Sequence, residues 1–181
     1  MTERNPRFRS DGAVSQQIIK KAGLVKMLLT DCDGVLTDGG VYYSPAGELL
    51  KRFSIRDGMG VERLRTLVGV ETGIISGENS APLERRAEKL RIKECHLGIS
   101  DKAQVVRSII ARRGLSRAEL AYIGDDANDL EVFALVGLCA CPSDAFDQIK
   151  SRADMICRNK GGHGAFREFA EIIISAQTGS Q

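Results

Sequence analysis

Apolar positions along this chain fall into two alternating patterns: short uninterrupted runs, and longer stretches in which they recur every three or four residues. The runs are too short for helices and suit strands buried on both faces, whereas the longer spacing is that of an amphipathic helix. A short helix near 14–21 precedes the first run, at about 24–30. Two segments with alternating side chains follow, "GVYYS" and "ELLKRFSI", joined at "PAG", where Pro45 and Gly47 suit a turn. They predict a protruding β-hairpin at about 40–55. Next come a helix at about 58–67, a strand at 70–75, a helix at 80–90, a short strand at 95–97 and a helix at 102–112, which Asp101 is placed to cap. The strand "LAYIG", a helix at about 129–136, the strand "GLCAC", a helix after Pro142, the strand "DMIC" and a last helix at about 165–176 complete the series. This β-α rhythm predicts a parallel sheet covered by helices on both faces, a doubly wound, Rossmann-like α/β fold.

Composition narrows the class. A chain of 181 residues with 43% hydrophobic content suits one domain with a sizeable core, taken as 24–181, preceded by an arm and short helix at 1–23. A net charge of +2 offers no basic field for nucleic acid or an anionic membrane surface. No apolar run approaches the roughly 20 residues of a membrane span, and 1–20 lacks the apolar centre of a secretion signal, so a cytoplasmic location is expected. The five cysteines, an odd number, fit a reducing compartment. A zinc site from Cys95, His96, Cys139 and Cys141 lacks the two-residue separation of zinc knuckles, and the thiols are expected to pack along buried strands instead.

In a doubly wound sheet the ligand sits at the carboxyl ends of the strands. Here the first strand ends in Asp31-Cys32-Asp33-Gly34, the next in Ser76-Gly77, and "LAYIG" in Asp125-Asp126 with Asp129 close behind, while Lys102 opens the intervening helix. Carboxylates this close repel one another unless a cation holds them together. Oxygen ligands without His or Cys favour Mg²⁺, with Asp31 and Asp125 as side-chain ligands and a main-chain carbonyl near Asp33 as a third contact. Such a site draws a phosphate toward Asp31, whose free oxygen attacks phosphorus in line. Asp33 is placed to protonate the leaving group and later to deprotonate water. Ser76, the Gly77 amide and Lys102 would hold the equatorial oxygens. Asp126 and Asp129 read as supporting groups, with Asp129 orienting Lys102 or metal-bound water.

"DCDGVLTDG", "IISG", Lys102 and "GDDANDL" resemble, in order and spacing, the four motifs of the haloacid dehalogenase superfamily of aspartate-dependent phosphatases. The hairpin "GGVYYSPAGELLKRFSIRDGMG" and the tail "NKGGHGAFREFAEII" are similar to its small branch without a cap domain, which hydrolyses phosphates of 3-deoxy-ulosonic acids. That resemblance implies a Mg²⁺-dependent phosphatase acting on a sugar-acid phosphate. It also implies a homotetramer in which hairpins pair around a shared barrel and the C-terminal tail completes a neighbouring site. On this reading, removing 161–181 lowers turnover more than stability. "IRDGMG", with Arg56, looks more like the 3-deoxy-D-manno-octulosonate (KDO) 8-phosphate enzymes. "SGENSAPLERRAEKL", with Glu78, Arg86 and Lys89, is similar to the branch acting on 3-deoxynonulosonate (KDN) and N-acetylneuraminate 9-phosphates. These four residues are the expected substrate contacts. His163 departs from the Arg common at its position in many KDO 8-phosphate enzymes.

Two other classes compete. A phosphoaspartate receiver also clusters aspartates around Mg²⁺, but it needs neither Asp33 as an acid nor a hairpin. A catalytically silent assembly module, like that of some sialic acid-activating enzymes, does not need Asp31, Asp33, Ser76, Lys102 and Asp125 together, and all are present.

Overall fold

In a computed structural model, described for residues 14–179, β1 (Met27–Thr30) forms the centre of a parallel sheet. The part of the expected arm before residue 14 lies outside the described residues. All four β1 residues are buried. Leu28 joins the apolar cluster on one face of the sheet, and Met27 and Leu29 join the cluster on the other. A strand buried on both faces explains the uninterrupted apolar run. On one side of β1 lie β4 (Glu71–Ile75) and then β5 (Glu94–His96); on the other lie β6 (Leu120–Ile123), β7 (Leu138–Cys141) and β8 (Met155–Ile156), giving the order β5-β4-β1-β6-β7-β8. The chain therefore reverses direction across the sheet at β1, which is where a doubly wound fold opens its crevice. Cys95 and Cys139 are four strands apart in this order, about 19 Å at the usual strand spacing, so they cannot share a zinc ion. All five cysteines are free.

One face is covered by α1 (Gln16–Ala22), α2 (Ile55–Val68), α3 (Ala81–Leu90) and α7 (Ala165–Thr178). The other is covered by α4 (Lys102–Arg113) and the single turns α5 (Leu130–Phe133) and α6 (Asp147–Lys150). Asp101 caps α4 as expected, accepting from the Gln104 amide at 2.8 Å. The expected helix at 129–136 resolves into a 3₁₀ turn, Ala127–Asp129, followed by α5. α2 starts three residues before its expected position because Ser54 caps it, accepting from the Asp57 amide. Gly58 and Gly60 of "IRDGMG" are unfavourable inside a helix but serve packing. A Cβ on Gly60 would lie 3.3 Å from Arg167 Cα, so its absence lets α2 and α7 approach closely. Asp57 in turn accepts from the Arg167 amide at 2.8 Å and the Gly164 amide at 3.2 Å, which satisfies the amino end of α7.

β2 (Val41–Ser44) and β3 (Gly47–Lys51) form the hairpin, paired only with each other, and leave Tyr42, Tyr43, Leu49 and Leu50 more than half exposed.

The expectation for the tail needs correction. Phe166, Phe169, Ala170 and Ile173 of α7 are fully buried in this chain's own core. Each large core side chain contributes about 2–3 kcal/mol, so removing 161–181 unfolds the domain rather than merely slowing it. The glycine loop before α7 likewise closes over its own chain. The Gly162 amide donates to Val35 O at 2.8 Å, and a Cβ on Gly161 would stand 1.9 Å from Gly34 O.

Candidate active site

The register carries the site. Thr30 pairs with Ile74 on β4 and with Ile123 on β6, so Asp31, Ser76 and Asp125 leave three adjacent strands at one edge of the sheet. Asp31 is buried; its Oδ1 accepts from the Cys32 amide at 2.7 Å, and its Oδ2 meets Lys102 Nζ at 2.9 Å. Lys102, also buried, donates to Asp129 Oδ1 at 2.8 Å. Both oxygens of Asp129 are engaged: Oδ1 also accepts from Tyr122 Oη at 2.6 Å, and Oδ2 accepts from the Asp125 amide at 2.9 Å. It therefore fixes Lys102 and the Asp125 loop rather than facing the crevice.

Asp125 is different. Its Oδ1 is buried with no hydrogen-bond partner, a costly state for a carboxylate oxygen. Gly34, at φ +81°, makes this placement possible, because a Cβ there would lie 2.0 Å from Asp125 Oδ2. Oxygens of Asp31, Asp125 and Asp129 lie within 4.8 Å of one another. Three carboxylates against the single Lys102 ammonium leave two negative charges, which a divalent cation would neutralise. With no cation bound, burial first and then repulsion from Asp129 hold Asp31 up at about 7, despite Lys102. Burial, then repulsion from Asp31, Asp129 and Asp126, hold Asp125 at about 8. The donor set and the orphaned oxygen fit a hard dication held by Asp31 and Asp125.

The raised carboxylates carry a sign that can be tested. Between their ordinary values near 4 and about 8, the native cluster binds more protons than the unfolded chain, so metal-free protein loses stability as pH rises. In chelator, thermal unfolding of the wild type is expected to fall by several degrees more between pH 5 and pH 8 than that of Asp125→Asn. A parallel pH dependence in the two would contradict it.

The remaining residues divide. Ser76 is buried at the end of β4, where its Oγ accepts from the Glu78 amide at 3.2 Å; Gly77 beside it is exposed. Asp126 is exposed and accepts from the Ala127 amide. Arg86 is turned to the hairpin base, donating to Ser54 O at 2.9 Å and standing over the Phe53 ring. Arg56, Glu78 and Lys89 are exposed. A cleft of about 300 Å³ is lined by Asp33, Gly34, Asp38, Gly39, Asp125, Asp126 and Asp144, and none of those four residues lines it. At this volume it is at the lower end for a small-molecule site.

Sequence reasoning missed Tyr122 and Lys51. A lone phenol in the apolar run "LAYIG" needs a buried partner, and that was a usable signal. Lys51 had none, because it reaches Asp33 only through the folding back of the hairpin, with Nζ at 2.6 Å from both carboxylate oxygens.

A buried aspartate paired with a buried lysine, beside a cradle that fits a dication at the strand ends of a doubly wound sheet, is the arrangement of a phosphate-handling hydrolase. Residues 96–168 match the model of the haloacid dehalogenase-like hydrolases. The 3-deoxy-D-manno-octulosonate 8-phosphate phosphatase of Yersinia pestis is 38% identical over 166 residues, 92% of this chain and 88% of that protein. The cobalt-bound form of the Haemophilus influenzae phosphatase superposes with a TM-score of 0.84 at 37% identity, over 87% of this chain and 92% of that one. The Moraxella catarrhalis phosphatase, solved with magnesium ion, phosphate ion and KDO, superposes with a TM-score of 0.86 at 34% identity, over 90% and 92%. This chain belongs to the cap-less 3-deoxy-D-manno-octulosonate 8-phosphate phosphatase family of the haloacid dehalogenase superfamily.

Proposed function

We propose that the protein hydrolyses 3-deoxy-D-manno-octulosonate 8-phosphate to KDO and phosphate in the presence of Mg²⁺. The observation that carries this reading is the cluster of buried Asp31 and Lys102 with half-buried Asp125 and its orphaned oxygen, in a chain whose relative was solved with magnesium, phosphate and KDO. When bound, Mg²⁺ neutralises the carboxylates and polarises the phosphate. Asp31 attacks phosphorus while the bond to the sugar oxygen breaks, and Asp33 gives that oxygen a proton. Water then attacks phosphorus, returns a proton to Asp33 and frees Asp31. Lys102, Ser76 and the Gly77 amide hold the phosphate oxygens as negative charge develops on them.

The test is a side-by-side turnover comparison with Mg²⁺. KDO 8-phosphate is expected to be preferred over KDN 9-phosphate, N-acetylneuraminate 9-phosphate and a generic sugar phosphate. A preference for either nonulosonate would reject the substrate. The position of Arg86 beneath the hairpin weighs against that alternative, since it withdraws one member of the trio on which it rests.

We further read the protein as a cytoplasmic homotetramer assembled through its hairpins. No helix among the described residues is long and apolar enough to cross a membrane. A two-stranded ribbon is marginal in water, yet this one exposes Tyr42, Tyr43, Leu49 and Leu50, with Ile55 and Met59 beyond it. A neighbouring subunit would cover both this surface and the open cleft. Light scattering at assay concentration is expected to give four times the 19.7 kDa chain mass. A fully active species of single-chain mass would defeat this reading.

A further inference from the structure

The hairpin delivers one side chain inward. Lys51, the last residue of β3, is a fully buried cation on an otherwise exposed ribbon, and its Nζ lies 2.6 Å from both Asp33 Oδ1 and Asp33 Oδ2. It is held from behind: Glu48 Oε2 lies 3.5 Å from Nζ, while Glu48 Oε1 accepts from Ser80, the residue that caps α3. Asp33 is touched from its own loop by Thr37 Oγ1, which donates to Oδ1 at 3.2 Å. A buried ammonium is costly to leave unpaired, and this one is fixed on the residue that the proposed mechanism uses for proton transfer.

We propose that Lys51 is a positioning residue for Asp33, aiming its carboxyl group at the leaving oxygen and coupling the seating of the hairpin to proton transfer. The inference rests on Asp33 being the acid and base. An ammonium only donates hydrogen bonds, and Nζ spans both oxygens here, so one of its two contacts opens when that oxygen carries the proton while the other oxygen stays anchored. As the P–O bond to the sugar breaks, the proton leaves the free oxygen of Asp33 for the sugar oxygen, and a proton from the attacking water later returns to it. Lys51 keeps its own protons throughout. Glu48 and Ser80 make the clamp rigid, so the acid is ordered only when β3 is seated against α3.

Leaving-group dependence separates this from a purely structural role. A sugar alkoxide needs a proton to depart, whereas p-nitrophenolate does not. Values of kcat/KM report every step through leaving-group departure. Lys51→Met is expected to lower kcat/KM for KDO 8-phosphate by ~10-fold or more, a fraction of what general acid catalysis supplies, and to lower that for p-nitrophenyl phosphate by ~3-fold at most. Lys51→Arg is expected to recover part of the loss, and Lys51→Gln gives the same reading if Lys51→Met does not fold. Equal falls with both substrates, or no fall, overturn the proposal. Asp33→Asn measured alongside distinguishes the two levels. Leaving-group dependence in Asp33→Asn but not in the Lys51 variants sinks the positioning role alone, and its absence from Asp33→Asn sinks the acid assignment and the inference with it.

Discussion

Asp31→Asn is expected to abolish turnover, by a factor on the order of 10⁴ or more, while raising the stability of metal-free protein at pH 8. The two effects share a cause. The amide has nearly the carboxylate's shape but is no nucleophile, and loss of a nucleophile that acts as one unit with its partners removes most of the catalysis. The same change takes one of three carboxylates from a buried cluster in which burial and repulsion already hold Asp31 at about 7. The Asn amide keeps one oxygen, enough to accept from the Cys32 amide, and Lys102, which then faces the NH2, still has its bond to Asp129, so the fold is retained. Steady-state rates and thermal unfolding in chelator check both halves. Wild-type turnover from Asp31→Asn, with deamidation excluded by mass spectrometry, would remove the nucleophile from the account.

Asp125→Ala is expected to act through the metal instead. It removes both the orphaned oxygen and the group that Gly34 makes room for. Calorimetric Mg²⁺ affinity is expected to fall by ~10-fold or more, and activity with it, in line with the loss of a direct ligand and its charge. Asp33→Asn, by contrast, is expected to keep Mg²⁺ affinity while losing most turnover, because its proposed metal contact is a main-chain carbonyl. Equal affinity in wild type and Asp125→Ala would reject this division.

Much of this arrangement was legible in the sequence because it is local. The four buried residues of β1, three of them apolar, run straight into Asp31, and the doubly wound rhythm predicts that strand ends converge at one edge. The Asp101 cap and the turn at Pro45 and Gly47 are equally local. What escaped depends on contacts between distant segments. "IRDGMG" was read for its chemistry, yet Asp57 satisfies the start of α7, and Gly58 and Gly60 let neighbouring groups approach. Arg86 has a helical spacing that cannot tell a substrate contact from a brace on Phe53 and Ser54. The family resemblance made the tail read as a cover for a neighbouring site, although the six buried residues of α7 tie it to this chain's own core. Lys51 was invisible for a similar reason: its partner is set by how a hairpin folds over a loop 18 residues earlier.

In the proposed reaction a phosphoryl group passes through Asp31 on its way from the sugar to water. Rapid acid quench of turnover with KDO 8-[³²P]phosphate and Mg²⁺, followed by peptide mapping, tests it most directly. A hydroxylamine-labile label is expected on the peptide carrying Asp31 in wild type, and none in Asp31→Asn. Label on any other residue, or the same label in Asp31→Asn, would contradict it.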